Sequence, residues 1–273
     1  MSWFRFALIA ASLIPSIAHG QGLRISTEIL DVSAGPDGKP VTQVLSGSLT
    51  LCHNGRVYDY VSSVDELVIY DPIEKSFTLL RPSRKMAATV TFDEIIQHLQ
   101  NRDAKTKQYL EELAATGLPT AAKEADLIRF QMHPRFTETF DPVEGKLVLS
   151  ADSFTYRVDT RKWEDVEQVD RYLTYRDWMA RLNSVLHPEG LFPETRMALH
   201  EALRRQKNRM PVRVELDRRP AISSRLRADH KLTMGLMNSD HDHIAQWEDL
   251  LKSKEVSRVP LIRYQQTALV SRR

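Results

Sequence analysis

Cysteine is nearly absent from this chain of 273 residues, which contains Cys52 alone. A single cysteine cannot form a disulfide within the chain, so the core has to be stabilised by the burial of apolar side chains. We interpret Cys52 as a small buried apolar residue rather than a reactive thiol. His53 follows it directly, but neighbouring side chains of a strand point to opposite faces, so the pair does not predict a thiol–imidazole dyad.

Glycine is also scarce, with 10 in the chain, and none of them forms a pattern that binds phosphate groups. The Gly-x-Gly-x-x-Gly motif, the phosphate loop and the Gly-x-Ser-x-Gly nucleophile elbow are all missing. His200-Glu201 begins like a zinc-protease helix, but Arg204 stands where the second histidine is required. The sequence therefore predicts no catalytic residue and no cofactor, and it disfavours nucleotide chemistry.

The densest group of metal-ligand residue types is Asp240-His-Asp-His243. Asp240 and His243 are three residues apart and can share one face of a helix, which makes them weak metal candidates. Ser239 followed by Asp242 instead fits the start of a helix, where acidic residues complement the helix dipole. We therefore interpret the group as a helix start and predict no metal site.

Long apolar runs are missing as well, apart from one close to the N-terminus. Arg5 is followed by an apolar stretch from Phe6 to Ile14, and small residues come after Pro15. This order is typical of a secretory signal peptide over residues 1–20. The run is too short to span a bilayer, which takes about 20 residues. We expect an exported protein, periplasmic or extracellular, with no membrane-spanning segment once the signal peptide is removed.

Charge is nearly balanced, since 38 Lys and Arg stand against 36 Asp and Glu, which predicts no overall attraction to a polyelectrolyte. Residues 204–227 are an exception, with nine basic residues, two acidic residues and no aromatic side chain. The lack of aromatics disfavours nucleic acid as a partner. An anionic lipid headgroup is the alternative, with Arg204, Arg205, Arg209 and Arg213 as its candidate contacts. A solvated helix end, whose dipole favours cations, explains the same charges without a ligand.

Strand and turn signals predict an antiparallel meander over the first third of the chain. Short runs rich in β-branched and aromatic residues alternate with turn residues from Leu23 to Val90. Asn54-Gly55 is the strongest of these signals, because both residues tolerate the positive φ that a two-residue hairpin requires. Further strands are expected at Leu127–Met132, Phe136–Phe140, Lys146–Leu149, Phe154–Val158, Val212–Leu216 and Lys231–Met237.

Four amphipathic segments predict helices. Thr91-x-x-Glu94 is a capping-box pattern, and it opens a helix that Gly117-Leu-Pro119 ends. Apolar and aromatic residues from Val166 to Leu182 predict a helix of about 20 residues, whose stripe we interpret as core. Pro193 fits the first turn of a third helix, and the run from Ser239 to about Ser253 gives a fourth.

This order of strands, helix, strands and helices favours the α+β class over the regular alternation of a parallel sheet. We expect one α+β domain over residues 21–260 and a C-terminal tail over residues 261–273. The expected architecture is a curved antiparallel sheet, like a half-barrel, with three to four helices packed on one face.

Several phrases of the sequence resemble those of uncharacterised exported proteins from planctomycete-type bacteria. They are Val57-Tyr-Asp59, Val68-Ile-Tyr-Asp-Pro72, Phe77-Thr-Leu-Leu80 with Arg84-Lys85, Leu191-Phe-Pro193 with Leu199–Leu203, and His230–Leu236 followed by Ser239-Asp240. This resemblance implies no activity.

The predicted meander is also similar to the lipoprotein-carrier fold of periplasmic lipoprotein-sorting proteins. That resemblance implies a half-barrel, closed by helices around an apolar cavity for acyl chains, although a fold alone does not establish a function. The chain departs from the pattern because it lacks a helix before its first strand and carries more helix after residue 160.

The export signal, the meander and the missing catalytic motifs together indicate a non-catalytic binding or carrier protein. Its expected ligand is an apolar or amphipathic molecule such as a lipid, held between the sheet and the helices. Two alternatives stay open. One is an exported hydrolase with a site that no motif reveals, and the other is a structural or interaction protein of the envelope.

Overall fold

The computed structural model describes residues 22–33, 42–218 and 224–270, so the predicted signal peptide lies outside the described residues. The strands are β1 (Leu23–Asp31), β2 (Gln43–His53), β3 (Arg56–Val61), β4 (Glu66–Asp71), β5 (Ser76–Arg81), β6 (Met86–Thr91), β7 (Thr137–Asp141), β8 (Lys146–Ser150), β9 (Phe154–Lys162), β10 (Arg209–Arg218), β11 (Ser224–Met234) and β12 (Ser257–Arg258). The helices are α1 (Phe92–Ala115), α2 (Pro119–Met132), α3 (Val166–Leu186), α4 (Pro193–Arg205), α5 (Asn238–Lys252) and α6 (Leu261–Val270). None of these helices combines the length and the apolar character that crossing a membrane requires.

All twelve strands belong to one open sheet, in the order β12-β6-β5-β4-β3-β2-β1-β11-β10-β9-β8-β7. Neighbouring strands are antiparallel except β12 and β6, which run parallel. The sheet consists mainly of two meanders, which join where β1 pairs with β11 from Leu23 opposite Met234 to Asp31 opposite Leu226. The structure thus confirms the predicted α+β class and the predicted antiparallel sheet.

Tight turns with positive φ connect the strands of the first meander. Asn54 (φ 49°) and Gly55 (φ 79°) form the two-residue hairpin between β2 and β3, as their sequence predicts. Asp65, Lys75 and Lys85 end the next three turns with φ values of 48°, 48° and 47°. Because each connection is this short, successive strands are forced to pair with their neighbours in the chain.

One face of the sheet, which we call the inner face, packs against α3 and α4. Alternate residues of its strands, such as Leu23 and Ile25 of β1, are buried there. Leu173 and Leu182 of α3 and Leu199 of α4 belong to the same core. The stripe of α3 that the sequence indicated is therefore core for most of its length.

The opposite face, which we call the outer face, is covered by α5. Ile244 and Trp247 of this helix form a second core with Tyr58, Leu67 and other outward-pointing residues of the central strands. The prediction of three to four helices on one face is thus wrong, because the described residues form six α-helices and α5 lies on the other face. The physical reason is that the central strands are apolar on both faces, so both faces need a cover.

Two segments differ from the predicted elements. Leu127–Met132 belongs to α2, not to a strand, because Pro119 starts a helix in which Ala121 and Ala125 are buried at helical spacing. The predicted tail begins with α6, whose Tyr264 is only 1% exposed and donates its hydroxyl to Glu66 at 3.0 Å. The C-terminal helix is therefore attached to the sheet.

Candidate functional site

A cavity of about 1040 Å³ lies between the inner face of the sheet and helices α3 and α4. Ser46 and Ser48 of β2 line this space from the sheet. Apolar side chains form much of its wall, among them Leu45, Val61, Met179, Leu186, Leu203 and Leu226. Six arginines but only three carboxylates also line it, so its wall carries an excess of positive charge.

Helical spacing places the polar residues of α3 and α4 on the cavity wall. Tyr172, Arg176, Ala180 and Asn183 follow one another at intervals of four, four and three residues along one side of α3. On α4, the neighbours of Leu199 in this wall are Arg196, His200 and Leu203. The two helices thus bring two guanidinium groups and one imidazole to the cavity wall.

Four basic side chains from three elements are close enough to influence one another. Burial, followed by the charges of Arg176 and Arg196, lowers the pKa of His230 on β11 to about 3. Burial also lowers the pKa of His200 to about 4, although the hydrogen bond to Asp177 opposes this shift and the two arginines add to it. Both imidazoles are therefore neutral at pH 7, and the two guanidinium groups carry the positive charge of the cluster.

Arg176 and Arg196 have no ion-pair partner in the part of the chain that the structure describes, where no carboxylate oxygen lies within 4.0 Å of either guanidinium. Arg176 is deep in the molecule and keeps some accessible surface because it faces the cavity. Both guanidinium groups thus line the cavity, and among the described residues neither has a carboxylate at ion-pair distance.

The carboxylates of the cavity already have other partners. Asp59 of β3 is buried, and its two oxygens accept the hydroxyls of Tyr175 at 2.6 Å and Thr50 at 3.0 Å. Glu66 accepts from Arg81 at 3.1 Å. Burial and the nearby charge of Asp59 raise the pKa of Tyr175 well above its ordinary value, so its hydroxyl is a firm donor to that carboxylate.

An imidazole, a carboxylate and a guanidinium join α3 to α4 next to the cavity. Asp177 of α3 lies 2.6 Å from Nδ1 of His200, and its other oxygen accepts from Arg204 at 2.7 Å. Both oxygens of Asp177 are thus used within the protein. This arrangement fixes the relative position of the two helices that carry the cavity's arginines.

The four arginines of the predicted headgroup site do not line this cavity, as the described residues define it. Each has a protein partner: Arg204 binds Asp177, Arg205 binds Glu138, Arg209 donates to the carbonyl oxygen of Pro142, and Arg213 binds Asp229. Arg209 is also buried, with 8% of its surface exposed. Contact between these four residues and a lipid headgroup stays a prediction.

The two weak metal candidates have structural contacts around α5. The carboxylate of Asp240 accepts from the backbone N–H of Met237 at 2.9 Å and lies 3.2 Å from Arg24. It therefore caps the helix, two residues earlier than the predicted Asp242. The ring of His243 stacks on Trp247 with 5.7 Å between centroids. Among the described residues, no three His, Cys, Asp or Glu side chains are grouped in a way that could hold a metal ion.

Cys52 and His53 point to opposite faces of β2, as their positions in a strand predict. Cys52 packs against the inner core, whereas the ring of His53 lies 5.0 Å from that of His241 on the outer face. Burial, followed by the charge of Asp59, raises the pKa of the Cys52 thiol to about 12. The thiol is therefore protonated at neutral pH and is a poor nucleophile.

No protein-family model matches this chain, and no curated protein matches it. The interpretation of the cavity therefore rests on its own geometry.

Sequence reasoning missed the basic cluster. Its one local signal is Arg176, a charged residue four positions after Tyr172 within a stripe that is otherwise core. Arg196 and His230 carry no comparable signal, because only the tertiary fold brings them to the same space.

Proposed function

We propose that this protein is an exported, non-catalytic carrier or binding protein, and that its ligand is an apolar or amphipathic molecule such as a lipid. The observation that carries the proposal is the cavity between the sheet and α3 and α4, with a volume of about 1040 Å³. Small-molecule sites generally measure about 300–1,000 Å³, so the cavity is large enough for a whole ligand of this kind. Export rests on the predicted signal peptide over residues 1–20.

The apolar part of the wall supplies the binding free energy for a hydrocarbon chain. Leu186 and Met179 of α3 line the cavity, as do Val61 and Val68 of the sheet. Each methylene that leaves water for such surroundings contributes about 0.8 kcal/mol. Even a partly buried acyl chain therefore gains several methylene contributions, which favours a ligand with a long apolar chain over a small polar metabolite.

The resemblance to the lipoprotein-carrier fold supports the same proposal. That fold implies a curved sheet with helices on its inner face and a cavity between them, and α3 and α4 have this relation to the inner face here. Helix α5 on the outer face is a departure from it. We propose that the sheet curves around α3 and that the ligand occupies the space beside this helix.

Hydrolysis is a second candidate because His200, a cavity residue, is hydrogen-bonded to the carboxylate of Asp177. A general base works best when its pKa is near the working pH, whereas burial lowers the pKa of His200 to about 4. Asp177 is also bound by Arg204, which fits a structural role for the pair. We therefore rank binding above hydrolysis.

Hydrolysis of p-nitrophenyl butyrate and p-nitrophenyl octanoate tests the second candidate. The carrier proposal expects no rate above that of a His200→Gln variant. A rate that this substitution abolishes, in a protein that stays folded, would replace the carrier proposal with a hydrolase.

Native mass spectrometry of protein purified from an exporting host, followed by solvent extraction, tests the carrier proposal. Ala180 lines the cavity from α3, so Ala180→Trp should fill part of the space. Ala115→Trp adds the same ring at an exposed position of α1 and is the matched control. We expect a co-purifying lipid mass with the wild type and the control, and much less with Ala180→Trp. A wild-type mass that stays free of ligand when envelope lipids are added would refute the proposal.

A further inference from the structure

We propose that Arg176 and Arg196 form an anion site inside the cavity, and that this site binds the carboxylate or phosphate group of an anionic amphiphile. The inference rests on the proposed carrier function and adds the chemical class of the ligand's head. Its starting point is that both guanidinium groups line the cavity.

The isolation of the two charges within the protein is the first argument. Removing a guanidinium from water carries a large desolvation penalty, which proteins normally offset with a carboxylate. Arg81 has such a partner in Glu66 at 3.1 Å, and Arg102 has one in Glu194 at 2.9 Å. Arg176 and Arg196 have none among the described residues. An anionic ligand would supply the missing countercharge.

The charge of Asp59 acts on Arg176, but Asp59 does not form an ion pair with it. Its oxygens accept the hydroxyls of Tyr175 and Thr50, and neither oxygen lies within 4.0 Å of the guanidinium. Arg176 is instead hydrogen-bonded to the side chain of Tyr175, so within the described residues no carboxylate neutralises Arg176 or Arg196 at ion-pair distance.

A buried hydroxyl is the second, independent argument. Tyr156 of β9 lines the same cavity and is 0% exposed, yet its hydroxyl has no hydrogen-bond partner in the described parts of the chain. A buried donor without an acceptor is costly, and an oxyanion accepts from both hydroxyl and guanidinium groups. Its presence in this wall fits a ligand with an oxygen-rich head.

The charges of Arg176 and Arg196 create a positive potential that acts on the two imidazoles beside them. The charges of Arg176 and Arg196 help to lower the pKa of both His200 and His230. His230 is held by Thr27, whose hydroxyl lies 2.9 Å from its Nδ1. Neutral imidazoles add no charge of their own, so the two guanidinium groups determine the preference for an anion.

Guanidinium groups bind carboxylates and phosphates through paired, parallel hydrogen bonds, which gives selectivity against an uncharged head. The apolar wall around Met179 and Leu203 would hold the chain of the same molecule. The expected ligand is therefore a long-chain carboxylate or a lipid with an exposed phosphate.

The test is displacement of the neutral fluorescent probe N-phenyl-1-naphthylamine from the purified protein, with competitors below their micelle-forming concentrations. Sodium oleate is compared with oleyl alcohol, and dodecyl phosphate with dodecanol. We expect wild-type protein to prefer at least one anionic competitor over its alcohol by about tenfold or more, equivalent to about 1.4 kcal/mol. A preference for oleate alone indicates a carboxylate ligand, and one for dodecyl phosphate alone indicates a phosphate ligand.

Arg176→Gln and Arg196→Gln should each remove most of this preference, because each weakens the binding of the anionic competitors more than that of their alcohols. Arg171→Gln is the control, because Arg171 lies on the same helix but is exposed and pairs with Asp165 at 3.4 Å. Arg176→Lys keeps the charge and should keep part of the preference. The two glutamine variants test the site independently if one of them fails to fold.

Two outcomes would overturn the inference, and they are distinguishable. Equal affinity of the wild type for the anionic and neutral competitors would refute the anion site but leave the carrier proposal standing. If neither the probe nor any competitor binds, the carrier proposal fails and the anion site fails with it.

Discussion

The hydroxyl of Tyr175 donates to the buried carboxylate of Asp59 at 2.6 Å and thereby joins helix α3 to strand β3 in the interior. Because Arg176 follows Tyr175 directly, this bond also fixes where the next side chain enters the cavity. The second oxygen of Asp59 accepts from Thr50 on β2, so one carboxylate holds α3 against two neighbouring strands. The position of the proposed anion site thus depends on a polar contact that lies outside the site itself.

Tyr175→Phe should destabilise the protein, because it leaves one oxygen of the buried Asp59 without its donor. We expect a loss of about 1–3 kcal/mol in the free energy of unfolding, measured by urea denaturation. Tyr109→Phe is the control, since the Tyr109 hydroxyl bonds to Glu124 at the surface and its loss should cost about 0.5 kcal/mol or less. Equal losses in the two variants would contradict the structural role of the Tyr175–Asp59 bond.

Arg176→Gln should leave the ligand-free protein as stable as the wild type or raise its melting temperature. The substitution removes an enclosed charge that has no carboxylate partner among the described residues. Arg81→Gln should instead lower the melting temperature, because it breaks the ion pair with Glu66. The measurement is thermal unfolding of delipidated protein. If Arg176→Gln lowered the melting temperature as much as Arg81→Gln does, Arg176 would have a structural role.

Stability should fall as the pH drops below about 6.5, the ordinary pKa of an unfolded histidine. Burial lowers the pKa of His200 to about 4 in the folded protein; Asp177 opposes this shift, and Arg176 and Arg196 add to it. Only the unfolded state therefore gains a proton on this residue between about pH 6.5 and 4. His230, which faces Arg176, Arg196 and Asp229, behaves in the same way down to about pH 3. Each imidazole contributes a slope of up to about 1.4 kcal/mol per pH unit.

His200→Gln should therefore reduce the dependence of unfolding free energy on pH between about 6.5 and 4. The slope of the wild type is the reference. Urea titrations at several pH values measure both slopes. An unaltered slope in His200→Gln would show that His200 does not titrate differently in the folded and unfolded states.

Trp247→Ala should destabilise the protein without removing the ligand site. The side chain of Trp247 is 8% exposed and packs α5 onto the outer face, away from the cavity. Truncating a buried tryptophan typically costs about 3–5 kcal/mol. Under conditions where the variant is still folded, we expect probe binding close to that of the wild type. Loss of probe binding in folded protein would place the ligand on the outer face.

Local sequence signals predicted where the helices and strands lie better than they predicted how these elements pack together. The capping box of α1 is present, with Thr91 N–H donating to Glu94 at 2.7 Å and Glu94 N–H donating to Thr91 at 3.2 Å. Such contacts join residues that are close in the chain, so a short sequence pattern is enough to predict them. Helix α2 was missed because its apolar run resembles a buried strand when it is considered apart from Pro119.

The cavity could not be predicted in the same way. Arg176, Arg196 and His230 belong to three elements, and no spacing in the sequence connects them. The position of α5 could not be predicted from a sequence pattern either. Outward residues such as Tyr58 and Leu67 indicate that this face is buried, but they do not show which helix covers it. Both features are properties of tertiary packing.

Photo-crosslinking with a long-chain fatty acid that carries a diazirine in its chain locates the ligand-binding surface of the protein. After irradiation and proteolysis, mass spectrometry locates the labelled residues. The carrier account predicts label on cavity residues such as Met179 and Leu203, and excess unlabelled oleate should reduce it. Label confined to α5 and the outer face, or label that oleate does not compete away, would contradict the account.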